Sequence, residues 1–435
     1  MTTLVLAGLV THGTYAGTGD EPHYLAIAHS LAFDRDLDLS NNYGAAEPLI
    51  AGGGLEPEQH IQPGTRGILR PVHDVGMPLL LAPIVAVAAP AVTRATPLVP
   101  ERVMRRLRLT PSTAYRNLLS FVMIAVAAVL AVELFGALAL AGASERSAFW
   151  IALLIALSPP LLVHSILLFT ELPSALLALL VFRRVAMPYE GATWRWGALG
   201  AATGLLVLVH IRNVTLAAAL FAMGAWALVR ARDRARLIAF CAGMVAFVLL
   251  RTLLNDVMWG TWLTTPHARA GSWPGLAATI GESGRRLAGM LLDQEFGLLP
   301  YAPVYALVLP GLIVLARRRP ALASPIAIAA GAYLAAVLLP FVNVHGWTGG
   351  WSPAARFLVP VAPLLALSLP AGFAAMARPL AIALVALQVG LNAWFWQHPK
   401  DLWNDGDGVA AVCRRGVPFC EYWPSFVRTG DLERR

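Results

Sequence analysis

The chain has 435 residues, of which 57% are apolar and 13% charged, with a formal net charge of +8, whereas soluble domains run at roughly 45–50% apolar and about 25% charged. A mean hydropathy of +0.64, spread over many apolar blocks, describes a polytopic membrane protein and excludes a soluble enzyme on a single tether. Lys400 is the only lysine among 33 basic residues, so the sequence has no Gly-Lys-Ser/Thr of a P-loop, and ATP-driven transport by this chain alone is excluded. The arginines sit in short connections between apolar blocks, which fits orientation in a bilayer and not nucleic-acid binding.

In chain order, residues 2–17 form the first apolar block, with no Lys or Arg ahead of it, and read as a transmembrane helix rather than a cleaved signal peptide. Further blocks of spanning length, at ~20 residues per crossing, lie near 117–140, 148–168, 172–187, 196–211, 213–229, 237–255, 298–316, 321–341, 357–377 and 379–396. The expected fold is all-α, with about eleven transmembrane helices. The block 79–92 is short, follows Pro78 and contains Pro83 and Pro90, so it is expected to be interfacial and not to span. Arginine-dense connections at Arg183-Arg184, Arg230 to Arg236 and Arg317 to Arg319 are expected to be cytoplasmic. Counting back from them leaves residues 17–116 as one large external loop, although the arginines between Arg94 and Arg116 run against that placement. Within the loop, His23–Phe33 reads as an amphipathic helix on the membrane surface. The transmembrane domain covers 1–397 and a short external tail covers 398–435. Cys413 and Cys420 fall in that tail, where an oxidising exterior lets a disulfide persist.

Ionisable groups beside apolar spans are costly and therefore candidates for function. Asp20-Glu21 places two carboxylates at the outer mouth of the first helix, where a carboxylate can act as a general base. Helix capping is the competing account of both. Arg356 is the lone cation heading an apolar span, and its planar fork can bind phosphate oxygens bidentately; a snorkelling interfacial arginine is the alternative. Trp347 and Trp351 can stack on a sugar or form an ordinary interfacial belt. His210-Ile211-Arg212-Asn213 interrupts a hairpin of apolar blocks, either as a polar turn alone or as a binding element carrying Arg212. Asp34-Arg35-Asp36 and Asp36-Leu37-Asp38 match DxD, but without strands around them they read as solvated loop.

The segment Gly19-Asp20-Glu21-Pro22-His23-Tyr24 resembles the acidic motif that opens the first external loop of the GT-C superfamily of integral-membrane glycosyltransferases. Asp36 to Tyr43 and His73-Asp74-Val75-Gly76-Met77-Pro78 are similar to the loop of a bacterial branch of that superfamily, as are Asp293-Gln294-Glu295-Phe296 and the stretch from Asn343 to Phe357. The resemblance implies a GT-C-like fold with interfacial helices in the first external loop. It implies an enzyme of the bacterial cytoplasmic membrane, its active site facing outside, that transfers a hexosyl or pentosyl group from a polyprenyl-phosphate sugar to a glycan, lipid or protein acceptor. Asp20 and Glu21 are then the catalytic residues, and His23, Tyr24, His73, Asp74, Arg212, Glu295, His345, Trp347, Trp351 and Arg356 bind substrate. Asp20 and Glu171 would hold a divalent cation such as Mg, Mn or Ca; Glu171 as an ordinary acid at a helix N-terminus is the alternative. Asp20 as base gives inversion at the anomeric carbon. The rival class is a transporter or flippase for polyprenyl-linked glycans, which would favour repeated halves and acids at mid-membrane; no internal repeat is visible.

Overall fold

The computed structural model describes residues 19–44, 48–50, 53–57, 60–107, 109–187, 189–262, 275–340, 346–350, 352–403, 408–416, 420 and 422–427. The apolar block 2–17, and with it the first expected crossing, lies outside the described residues. Among the described residues the regular structure is helical apart from a two-stranded antiparallel ribbon, β1 (Ile61–Pro63) and β2 (Leu69–Pro71), and an isolated bridge between Gly44 and Leu55.

The helices are α1 (Glu21–His29), α2 (Gly76–Ala95), α3 (Glu101–Leu107), α4 (Pro111–Leu140), α5 (Glu145–Ala156), α6 (Leu161–His164), α7 (Glu171–Val185) and α8 (Thr193–Val209). They continue with α9 (Val214–Arg230), α10 (Arg234–Trp259), α11 (Leu276–Leu292), α12 (Val308–Arg318), α13 (Pro320–Leu338), α14 (Ala362–Ala366), α15 (Leu369–Ala375) and α16 (Arg378–Gln397). Among the described residues, six helical stretches, built on α2, α4, α9, α10, α13 and α16, are long and apolar enough to cross a membrane. The chain is thus an all-α protein with the makings of a multi-pass membrane protein.

Among the described residues the expected count of crossings is not reproduced, and each described block that falls short has a local cause. The block 148–168 loses its helix at Ser158-Pro159-Pro160, where two prolines lack the N–H that would continue it and a cis peptide joins them. The block 196–211 ends when His210 turns extended, 298–316 is helical only from Val308, and 357–377 divides into two short helices. α7, in block 172–187, has 15 residues and so rises about 22 Å, short of the ~30 Å hydrocarbon core. Conversely, the block 79–92, expected to be short and interfacial, lies inside the continuous 20-residue helix α2, and Pro83 and Pro90 do not end it. The expected surface helix over 23–33 is also corrected, because every residue of α1 is buried and the helix packs against α2 in the interior.

Local chemistry explains the main boundaries. α4 opens with Thr110 and Thr113 in a reciprocal capping box followed by Pro111 at the first helical position. α7 carries Glu171 in its first turn and Arg183 and Arg184 in its last, matching the sign of the helix dipole at both ends. α8 and α10 approach backbone to backbone through small residues: a Cβ on Gly200 would strike the Phe240 carbonyl, and one on Gly243 the Gly197 carbonyl. α2 is locked in the same way, since a Cβ on Gly76 would strike the carbonyl of Leu208. That contact sets Asp74 beside the end of α8.

Helix direction gives the molecule two chemically distinct ends. α7 runs from Glu171 to Arg184 and α9 from just after Arg212 to Arg230. Asp20, Glu171, Arg212 and Arg356 gather at one end, whereas Arg183, Arg184 and Arg319 lie at the other.

Candidate functional site

The site is built where helices break. α1 begins directly after Asp20, α7 begins at Glu171, the turn 211–213 joins α8 to α9, and a short 3-10 turn, Arg356–Leu358, precedes α14. Asp20 holds the N-cap position of α1, yet its side chain makes no capping hydrogen bond. It forms an ion pair with Nη2 of Arg356 instead, so capping does not account for it. Nε of Arg356 donates to Glu171 Oε1 at 2.7 Å and Nη1 donates to the Gly349 carbonyl at 2.9 Å. The guanidinium thus bridges two carboxylates while lying over the Phe169 ring, 4.4 Å from its centre.

Arg212 adds a second cation. Its Nη1 lies 3.7 Å from Glu171 Oε1, and its guanidinium stacks 3.9 Å above the centre of the Phe357 ring. Asp20 is the most open member, its side chain 21% exposed against 6% for Arg356 and 1% for Glu171. Burial pushes the Asp20 carboxyl up, but the charge of Arg356, helped by His73 and by the Arg356 hydrogen bond, outweighs it and holds the group far below the usual carboxylate range.

Arg356 is positioned through its backbone. Ala355 adopts a left-handed conformation at φ 57° and donates its N–H to the Phe296 carbonyl at 2.9 Å. A non-glycine residue in this region costs of order 1 kcal/mol and persists where its surroundings fix it. Here the turn after α11 does so. Asp293 Oδ1 accepts the N–H groups of Glu295 and Phe296, and Oδ2 accepts that of Phe426 in the tail.

The other sequence candidates divide into groups. Glu21 does not face the cluster: it is fully buried, and Oε1 accepts the Leu168 N–H at 2.9 Å, tying α1 to the segment before α7. Asp74 is turned away from Asp20 and accepts from Arg251 at 2.6 Å and from the Ile211 N–H at 2.9 Å, which anchors the turn carrying Arg212. Glu295 is fully buried and accepts the Gly408 N–H at 2.5 Å, so it ties down the tail. Trp347 is 2% exposed, packed edge-on to Phe296 and against Gly289 of α11, a core residue in this conformation. His345 and Trp351 lie outside the described residues.

His23, Tyr24 and His73 do lie beside Asp20. His23 stacks on His60 with ring centres 3.4 Å apart, His60 Nδ1 lies 2.8 Å from His73 Nε2, and Tyr24 leans on His73. Burial, reinforced by His60 and His73, pushes His23 down to about 2; burial and His73 push His60 down to about 4. His23 and His60 are therefore neutral at neutral pH, and burial pushes His73 below its usual value as well. Sequence reasoning misses His60, which sits in irregular loop with no pattern to mark it. It also misses Arg251, which carries a usable signal as a lone arginine in the interior of an apolar block.

The divalent cation expected between Asp20 and Glu171 would have to draw both carboxylates off Arg356. Both carboxylates are turned onto Arg356, and among the described residues no group of three or more His, Cys, Asp or Glu side chains could hold a metal ion. Hard cations such as Mg or Ca take about six oxygen ligands. In this arrangement the guanidinium holds the position between the acids. No family model, curated protein or solved structure matches the chain.

Proposed function

We propose that the chain is a GT-C-like membrane glycosyltransferase, moving a sugar from a polyprenyl-phosphate donor to a hydroxyl acceptor on a glycan, lipid or protein. The observation that carries this reading is Arg356 held between Asp20 and Glu171, with Arg212 alongside, at the end of the helices away from the arginine-rich loops. By the positive-inside rule those loops face the cytoplasm, which directs the acid-bearing end outward. In a bacterium this is the external face of the cytoplasmic membrane, where a lipid-borne donor can reach the site laterally.

In the proposed reaction the acceptor oxygen attacks the anomeric carbon from the side opposite the phosphate, and the carbon–oxygen bond to phosphate breaks. The proton leaves the acceptor for Asp20, and the lipid phosphate departs carrying its negative charge to Arg356 and Arg212. Configuration is inverted. Without donor, Arg356 neutralises Asp20 and quenches it as a base. A donor phosphate competes for the same guanidinium and releases the carboxylate, so base strength rises when substrate is present. Glu171 stays on Arg356 and Arg212 and keeps both forks aimed at one place.

The test is release of polyprenyl phosphate from radiolabelled polyprenyl-phosphate sugars by the purified protein in detergent. Release by the parent and its loss in Asp20→Asn support the proposal. Absence of release across hexosyl and pentosyl donors with the acceptor classes supplied, from protein shown to be folded, counts against it.

A further inference from the structure

α11 is built inside out for a helix in an external segment. Its 17 residues include Glu282, Arg285 and Arg286, and all three are turned towards the protein. Arg285 Nη2 and Arg286 Nε both donate to Glu282 Oε1, at 2.7 and 2.9 Å, and Arg285 Nη1 donates to the Phe426 carbonyl of the tail. The Arg286 side chain is 7% exposed. The exposed residues are Leu276, Ala277, Ala278, Ile280, Gly281, Gly284, Leu287 and Leu292, with no polar side chain among them. Leu276 and Ile280 stand 66% and 64% open. A helix washed by water on its outer side shows the opposite pattern, charges out and leucines in.

Two further observations place this face. Ser283 Oγ donates to the Leu338 carbonyl, the last residue of α13, which is among the helices able to cross the membrane. α11 therefore touches the C-terminal end of a candidate span. Near the end of a second such helix, α10, Trp262 is 70% exposed, as suits an interfacial aromatic.

We propose that α11 is an interfacial helix whose Leu276–Ile280–Leu287 face lies in the acyl-chain boundary of the bilayer, its occupant being lipid and not a second protein. The inference depends on the membrane placement and not on the glycosyl-transfer reading, and the two fail separately. The experiment places a nitroxide at Ile280→Cys in a Cys241→Ala background, without reductant, in phosphatidylcholine nanodiscs. Power saturation then compares dissolved oxygen with a water-soluble nickel chelate. Oxygen accessibility several-fold above that of the chelate is the expected result, with the order reversed for a label at Tyr422→Cys, which is 87% exposed on the polar tail. Preferential chelate access at position 280 overturns the proposal by placing the face in water. Low access to both, with dipolar broadening that vanishes on dilution with unlabelled protein, overturns it in favour of a second copy.

Discussion

The two ends of the helices use the same chemical groups to different effect. At the arginine-rich end, Glu133 accepts from Arg183 at 2.8 Å and from Arg184 at 3.0 Å on both oxygens, so one carboxylate is saturated by two forks. At the other end two acids share two cations, with Arg212 3.7 Å from Glu171. One guanidinium, Arg356, is divided between Asp20 and Glu171, and the more exposed acid is held by the ion pair to that arginine. The first arrangement is a clamp with nothing left to give a ligand. In the second, a phosphate can displace Asp20 from the guanidinium while Glu171 stays on it, and the displaced carboxylate belongs to the more exposed acid. Composition does not separate the two; stoichiometry and exposure do.

The largest effect that can break this comparison is at Asp20. Asp20→Asn should lower transfer by at least about 100-fold with little loss of folding, since it removes the proposed general base. Glu133→Gln should do the reverse, leaving transfer within a few-fold of the parent while lowering the unfolding midpoint through loss of charged hydrogen bonds worth about 1–3 kcal/mol. Transfer rates and detergent melting curves on both variants read this directly, and equal transfer losses would erase the distinction between the ends.

Next is Arg356. Arg356→Lys keeps the charge but cannot bridge two carboxylates with a planar fork, so the donor KM should rise about tenfold, and Arg356→Ala should raise it further. A parental donor KM in both variants removes Arg356 from the site. The same variants sharpen the electrostatics. With Arg356 present, the Asp20 carboxyl is depressed, so the stability from that ion pair is present above the unfolded value near pH 4 and is lost only as the pH falls through the much lower folded value. In Arg356→Ala, burial is left unopposed by that charge. The acid limb of the residual pH–rate profile should move to higher pH.

A smaller pH effect belongs to the imidazole stack. His23 and His60 titrate lower in the folded protein than the usual value near 6.5. Below about pH 6.5 the unfolded chain binds protons that the folded chain refuses, so stability falls with acidification. His60→Leu should flatten that slope between pH 6.5 and 4.5 in melting experiments. An unchanged slope assigns the loss to other groups.

The smallest effect on transfer is expected in the tail, where Cys413 and Cys420 are joined by a disulfide with their Cα atoms 5.5 Å apart. Replacing both by serine should loosen the tail by roughly 2–3 kcal/mol in the chain-entropy model and change transfer little, because Asp293 and Glu295 still hold neighbouring stretches. In Cys241→Ala cells, a membrane-impermeant maleimide should label the tail only after reduction. Labelling that needs permeabilised membranes and ignores reductant places the tail, and the site end with it, in the cytoplasm.

By itself the sequence determined the membrane character and the all-helical class, and it singled out the four charges that the fold brings together, because a charge beside an apolar span is conspicuous wherever it occurs. Asp20, Glu171, Arg212 and Arg356 all stand out for that reason. Tertiary structure alone decided their division of labour. Asp20 and Glu21 are adjacent in sequence, yet the turn of α1 sends one to Arg356 and the other to the Leu168 N–H. Asp74 and Glu295, which look like binding groups on paper, are spent on holding the turn at 211 and the tail. The count of crossings also went beyond the sequence, because hydropathy records where apolar residues lie and not where prolines and buried polar turns interrupt the helix that carries them. The ion pair of Arg356 with Asp20 joins side chains 336 positions apart, and no local pattern encodes such a pairing.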